Sequence, residues 1–107
     1  MLKIEQYQDE DGGIPFRAWF AKLRDVVAKT AILNRIDRLT LGNFGNCRDV
    51  GNGISELKID VGAGYRVYVA HRGERLVILL YGGNKATQSK DIELARKYWT
   101  DWKRRQK

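Results

Sequence analysis

Residues 56–69 are written in the two-residue period of β-structure, broken only by a Gly-rich turn, and that stretch limits what the rest of the chain can be. Leu57, Ile59 and Val61 alternate with Glu56, Lys58 and Asp60; after Gly62-Ala63-Gly64, Tyr65, Val67 and Val69 alternate with Arg66 and Tyr68. Such alternation marks strands with one buried face, and a short Gly-rich link between two of them marks a hairpin. Keeping the apolar sets together pairs Ile59 with Val67 and Lys58 with Tyr68. The same register gathers Glu56, Lys58, Asp60, Arg66 and Tyr68 on a second face, expected to be exposed. A tight turn around Gly73 leads into residues 75–81, apolar at nearly every position, as in a strand covered on both sides. Gly82-Gly83 is expected to stop that strand.

The flanks carry helical spacing. Residues 2–7 alternate weakly, as a half-buried strand does, and end at the turn-forming Asp11-Gly12-Gly13. Pro15 suits a first helical turn, and Phe16, Trp19, Phe20, Leu23 and Val27 then recur along one face. Asp25 can cap a second helix whose apolar positions are Ala28, Ile32, Ile36 and Leu39, and Gly42 ends it. Residues 42–53 hold four Gly and three Asn and read as a loop. A last helix can begin at Ser89, with Asp91 and Glu93 early and a basic cluster at its end, as the helix dipole prefers. Its apolar positions are Ile92, Ala95, Tyr98 or Trp99, and Trp102. The fold class that follows is α+β: two N-terminal helices packed on a small antiparallel sheet, with a C-terminal helix.

At 107 residues this is expected to be one domain spanning 1–107, and 43% hydrophobic residues with three Trp supply a core. Lys and Arg number 20 against 13 Asp and Glu, a net charge of +7, which favours polyanionic partners. The excess is concentrated: the last twelve residues hold Arg96, Lys97, Lys103, Arg104, Arg105 and Lys107 against Asp101, whereas the first eleven hold four acids against Lys3. Cys47 is the only cysteine, so no internal disulfide forms and a reducing, cytoplasmic setting is expected. No apolar run approaches the roughly 20 residues of a membrane helix, and the N-terminus does not read as a signal peptide, so no membrane partner is expected.

The inventory of reactive groups is short. One His and one Cys, with no carboxylate–histidine cluster, leave no expected metal site. Phosphate-loop and dinucleotide fingerprints are missing, so no cofactor is expected. By strand parity His71 shares the side of Val67 and Val69, which suits a rim or core histidine better than a triad member. What remains is a polar sheet face with cations and a tyrosine, and Lys85 just past the last strand. Attack of a ribose 2′-hydroxyl on its neighbouring phosphate needs such groups, because fixed cations stabilise the growing negative charge. The competing possibility is a set of cross-strand salt bridges among Lys58, Asp60 and Arg66.

The strings Gly53-Ile54-Ser55-Glu56-Leu57-Lys58-Ile59, Gly62-Ala63-Gly64-Tyr65-Arg66-Val67-Tyr68 and Leu79-Leu80-Tyr81-Gly82-Gly83-Asn84-Lys85-Ala86-Thr87-Gln88, followed by Asp91-Ile92, resemble the HigB-like addiction module killer branch of the RelE/ParE toxins. Gly42-Asn43 and Val50-Gly51 are similar to that branch too, and the likeness runs over residues 16–99. It implies a RelE-like fold and a toxin of a type II toxin–antitoxin system that inhibits translation by metal-independent, ribosome-dependent cleavage of mRNA. It also implies a cognate helix-turn-helix antitoxin as partner, with the ribosome and mRNA as targets and operator DNA reached only through the antitoxin complex. Carried over position by position, Arg66 contacts the phosphate, and Lys58 and Lys85 supply further basic groups. The general base stays open between Tyr68 and a lysine. Arg48 in the Gly-rich loop and the tail Lys103-Arg104-Arg105 are expected to bind RNA. The chain has Ala63 where the branch has proline and Asn84 where it has aspartate, so a carboxylate role at 84 is absent. Two alternatives stand beside the ribonuclease: a ParE-like DNA gyrase poison, and a noncatalytic antitoxin-binding or co-repressor module.

Overall fold

The computed structural model describes residues 1–106; Lys107, counted above in the basic tail, lies outside the described residues. Strand β1 (Lys3–Gln6) is followed by helices α1 (Pro15–Lys22) and α2 (Val26–Thr40). Four more strands come next, β2 (Cys47–Asp49), β3 (Ile54–Ile59), β4 (Tyr65–Arg72) and β5 (Leu76–Asn84), then a 3₁₀ turn (Lys85–Thr87) and helix α3 (Gln88–Arg105). Pro15 sits in the first turn of α1, and the Asp25 carboxylate accepts from the Ala28 N–H at 3.0 Å to cap α2. Ala28, Ile32 and Leu39 are fully buried, as their spacing requires. Val27 departs from the expected stripe: the chain turns between the helices, and Val27 stands 66% exposed in the first turn of α2.

The sheet order is β1-β5-β4-β3-β2. Its strands are not all antiparallel, as the sequence suggests, because β1 runs parallel to β5, with Ile4 beside Val77 and Gln6 beside Leu79. The Gly-rich loop also contains a strand, since the exposed β2 adds to the edge of β3. The two faces are covered by different helices. Phe16 of α1 and Ile32 and Leu39 of α2 pack on Leu57, Val67, Val69, Val77 and Leu79. Ala95, Trp99 and Trp102 of α3 pack on Ile54, Tyr68, Ala70, Ile78 and Leu80. Because the sheet is buried from both sides, β5 reads as a continuous apolar run.

Two expectations about this sheet need correction. The β3–β4 register is two residues from the expected one: Leu57 faces Val67, Lys58 faces Arg66 and Glu56 faces Tyr68. The cause is a longer connection, closed by the Val61 N–H on Ile59 O and the Gly64 N–H on Val61 O, which ends the pairing at Ile59 and Tyr65. A shift of two preserves parity, so Glu56, Lys58, Arg66 and Tyr68 still share a face. Nor does Gly82-Gly83 stop β5, which runs through both to Asn84. A Cβ at Gly82 would drive into the Trp19 ring, and one at Gly83 into the Asp91 carboxylate. These glycines make room for α1 and α3. Asn84, where the resemblance would have placed a carboxylate, caps the following turn by accepting from the Ala86 and Thr87 N–H groups at 2.9 and 3.3 Å. Among the described residues no helix is long and apolar enough to cross a membrane.

Candidate functional site

Where the first turn of α3 meets the β2 side of the sheet, Asn46, Cys47, Arg48, Glu56, Lys58, Arg66 and Gln88 line a groove of about 420 Å³. Arg48, Glu56, Lys58 and Arg66 come from three adjacent strands. The pairings Arg48–Glu56 and Lys58–Arg66 place their side chains on the α3 face. Far from being a wet surface, the inner part of this face is closed: Glu56 is 3%, Arg66 7% and Tyr68 0% exposed.

Glu56 organises the interior. One carboxylate oxygen accepts from Arg48 Nε at 2.8 Å; the other accepts from Gln88 Nε2 at 2.9 Å and from the Tyr68 hydroxyl at 3.1 Å. Burial alone would raise the Glu56 carboxyl, but the donors from Arg48, Gln88 and Tyr68 outweigh it and hold the group below the ordinary glutamate range. Tyr68 is pushed well above the ordinary phenol range, chiefly by burial and then by the Glu56 charge. Its hydroxyl donates to Glu56 and so helps to position that carboxylate.

Arg66 is less completely satisfied. Its Nε lies 3.7 Å from Glu56 Oε1, beyond hydrogen-bond range, and its Nη1 touches Gly64 O at 3.5 Å. Among the described residues Arg66 Nε is the buried side-chain polar atom that lacks a hydrogen-bond partner. Buried guanidinium donors are ordinarily satisfied, and a vacant one calls for an explanation in function. Lys58 is half-exposed and lies 3.8 Å from Asp60, and Arg48 is exposed along most of its length. The groove thus has a fixed cation in its wall and two adjustable ones at its rim.

The other expected residues fall elsewhere. Lys85 is exposed on the 3₁₀ turn, and its side chain does not line the groove. Its backbone N–H donates to Gly64 O at 3.1 Å, so it borders the hairpin turn that Arg66 also touches. The tail is remote: Arg104 stands sixteen residues beyond Gln88 on α3, a span of about 24 Å at helical rise. It is not a set of free charges either. Arg104 pairs with Glu10 at 3.2 Å and Asp101 at 2.5 Å, Arg105 donates to Asp101 and to Gln8 O, and Lys103 lies over the Trp99 ring. Asp101 and Arg104 border a hollow of about 510 Å³ beside Tyr7, where Asp9, Glu10, Asp11 and Asp101 outnumber Lys97 and Arg104. His71 stacks on Phe44 with ring centroids 4.6 Å apart, outside the groove. Glu56 and Gln88 carry the site and were not singled out from sequence, although both stand within the quoted strings.

The tail contacts have a measurable signature. Hydrogen bonds from Tyr7, then Arg104, hold the Asp101 carboxyl at about 2. Unfolded aspartate titrates near about 3.9. The contribution of Asp101 to stability is therefore complete above about pH 4 and is lost as pH falls toward 2. Asp101→Asn should melt below wild type at pH 7, with the gap closing between pH 4 and pH 2. A gap that stays constant across that window in urea titrations would show that the carboxylate is not held this way.

A model of the family described as "Phage derived protein Gp49-like" matches residues 18–100, which include all the groove residues. An uncharacterized protein of Haemophilus influenzae is 51% identical over 83 residues, which are 78% of this chain and 84% of that relative. Since the family match takes in the hairpin, the 3₁₀ turn and most of α3, the chain belongs to the Gp49-like family of phage-derived proteins, a family associated with RelE-like toxins of toxin–antitoxin systems.

Proposed function

We propose that this protein is the toxin of a type II toxin–antitoxin pair and that it inhibits translation by cutting mRNA on the ribosome through metal-independent transesterification. The observation that carries the proposal is the buried, unpartnered Nε of Arg66 in a groove rimmed by Lys58 and Arg48. Arg66 lines the groove with a guanidinium that the protein holds only weakly, and a guanidinium holds a phosphate through two hydrogen bonds. As the ribose 2′-hydroxyl gives up its proton and bonds to phosphorus, the P–O5′ bond breaks and the 5′-oxygen leaves with a proton, yielding a 2′,3′-cyclic phosphate and a 5′-hydroxyl. The negative charge that grows on the phosphate is met by the Arg66 guanidinium. Lys58 adds a second charge, Arg48 steers the strand into the groove, and Lys85 approaches from the hairpin turn.

Family membership supports the toxin part, and the net charge of +7 suits a ribosomal target. The same Arg66 donor favours ribonuclease chemistry over a gyrase poison, which needs no phosphate-binding cation on this face. Neutralisation falls to a cognate helix-turn-helix antitoxin, which carries the complex to operator DNA. The test is primer-extension mapping of message on programmed ribosomes. Purified chain should give discrete cuts that adding the protein of the neighbouring reading frame suppresses. Intact message at a stoichiometric excess of folded chain would refute ribonuclease action.

A further inference from the structure

Behind the groove, on the opposite side of the sheet, α2 sends one cation inward. Arg35 is 7% exposed although it stands on a helix face otherwise buried through Ala28, Ile32 and Leu39. Its guanidinium donates to three main-chain carbonyls: Nη1 to Lys58 O at 2.7 Å, Nη2 to Phe44 O at 3.0 Å and to Asn46 O, with Nε also on Phe44 O at 3.3 Å. Among the described residues no carboxylate pairs with it, and the four hydrogen bonds it donates all go to backbone oxygens. The loop it grips has little stiffness of its own: Gly42 and Gly45 adopt positive φ, and β2 is a three-residue edge strand with every residue exposed. Gly45 packs so closely that a Cβ there would lie 2.7 Å from Arg35 Nε.

The gripped carbonyls belong to the groove's own framework. Lys58 O is the main-chain oxygen of one groove cation, and Asn46 O lies two residues before the other, Arg48. Asn46 O also receives the Lys58 N–H at 3.0 Å, which closes β2 onto β3. We infer that Arg35 is a positioning residue: by clamping residues 44–46 to Lys58 from the far side of the sheet, it fixes the spacing of Arg48 and Lys58 across the groove. The inference rests on the ribonuclease proposal for its catalytic consequence and on the carbonyl clamp alone for its mechanical one. A planar fork spans three acceptors that a point-charge ammonium cannot reach together.

Cys47, the single cysteine, is exposed on β2 and takes a nitroxide label one residue from the clamped Asn46. The experiment compares wild type, Arg35→Gln, Arg35→Lys and Leu39→Ala. The last removes a buried side chain of the same helix that takes no part in the carbonyl clamp. The label should loosen markedly in Arg35→Gln, partly in Arg35→Lys and not in Leu39→Ala. On programmed ribosomes well below the melting temperatures, Arg35→Gln should lose about 10–100-fold in kcat, since misplacement of about 1 Å at a catalytic group has that effect. Arg35→Lys should recover part of it, and Leu39→Ala should stay near wild type. A label equally rigid in Arg35→Gln and wild type overturns the clamp. So does a kcat loss matched by Leu39→Ala. Wild-type chain that never cuts message refutes the ribonuclease proposal separately, because the label still reports the clamp.

Discussion

Arg66→Ala should leave a folded, antitoxin-competent protein that cuts message about 10²–10³-fold more slowly than wild type. The size of the effect follows from where the guanidinium sits. It is buried in the groove wall at a fixed place, and one of its donors is kept free of protein acceptors. A stabiliser that is already oriented costs nothing to recruit in the transition state, so its removal falls on the chemical step more than on binding. Folding is less affected, because Glu56 keeps Arg48, Tyr68 and Gln88 when Arg66 is gone. The void left by a buried side chain still destabilises, by about 1–3 kcal/mol. Arg66→Lys should restore part of the rate, because an ammonium returns the charge without the bidentate geometry. Single-turnover cleavage on programmed ribosomes, with thermal melts of each variant, separates the two effects. A variant that cuts at the wild-type rate would move the catalytic cation elsewhere in the groove.

The elements differ in how far the sequence alone determines them. The second helix, its Asp25 cap and the β3–β4 hairpin follow from periods of 3.6 and 2, and parity alone put Lys58 and Arg66 on one face. Strand β1 could be seen as a strand but not as a parallel one. Its partner β5 begins some seventy residues later, and four residues carry no sign of direction. The exposed β2 has no burial pattern to reveal it; it pairs because Arg35 holds the loop in place. Gly82-Gly83 looked like a stop because glycine both ends strands and admits close neighbours, and only the fold shows that Trp19 and Asp91 fill the space. Burial of the polar face is what the sequence does not carry. Alternation distinguishes two faces without saying that α3 covers the polar one, so Glu56 looked like one surface charge among several.

Glu56→Ala should show the opposite balance, a large loss of stability before any loss of chemistry is measured. One substitution removes the acceptor of the buried Tyr68 hydroxyl, the partner of Gln88, the anchor of Arg48 and the counter-charge nearest Arg66. Removing one member of a buried ion pair costs about 3–5 kcal/mol, because the remaining charge stays desolvated. For a domain near this size each kcal/mol moves the melting point by about 4–8 °C, so Tm should drop by at least about 10 °C. Glu56→Gln keeps the volume and one carbonyl acceptor but turns an amide toward Arg48, and it should fall between. The pH profile gives an independent check. The folded carboxyl titrates below the unfolded value of about 4.3, so its stabilisation is complete above that pH and is lost as pH falls through the lower folded value. The difference in Tm between wild type and Glu56→Gln should therefore hold from pH 7 to pH 5 and narrow in more acid solution. If Glu56→Ala melts within 2 °C of wild type at pH 7, the buried network contributes little to the fold. The groove would then owe its shape to the Arg35 clamp and the hairpin alone.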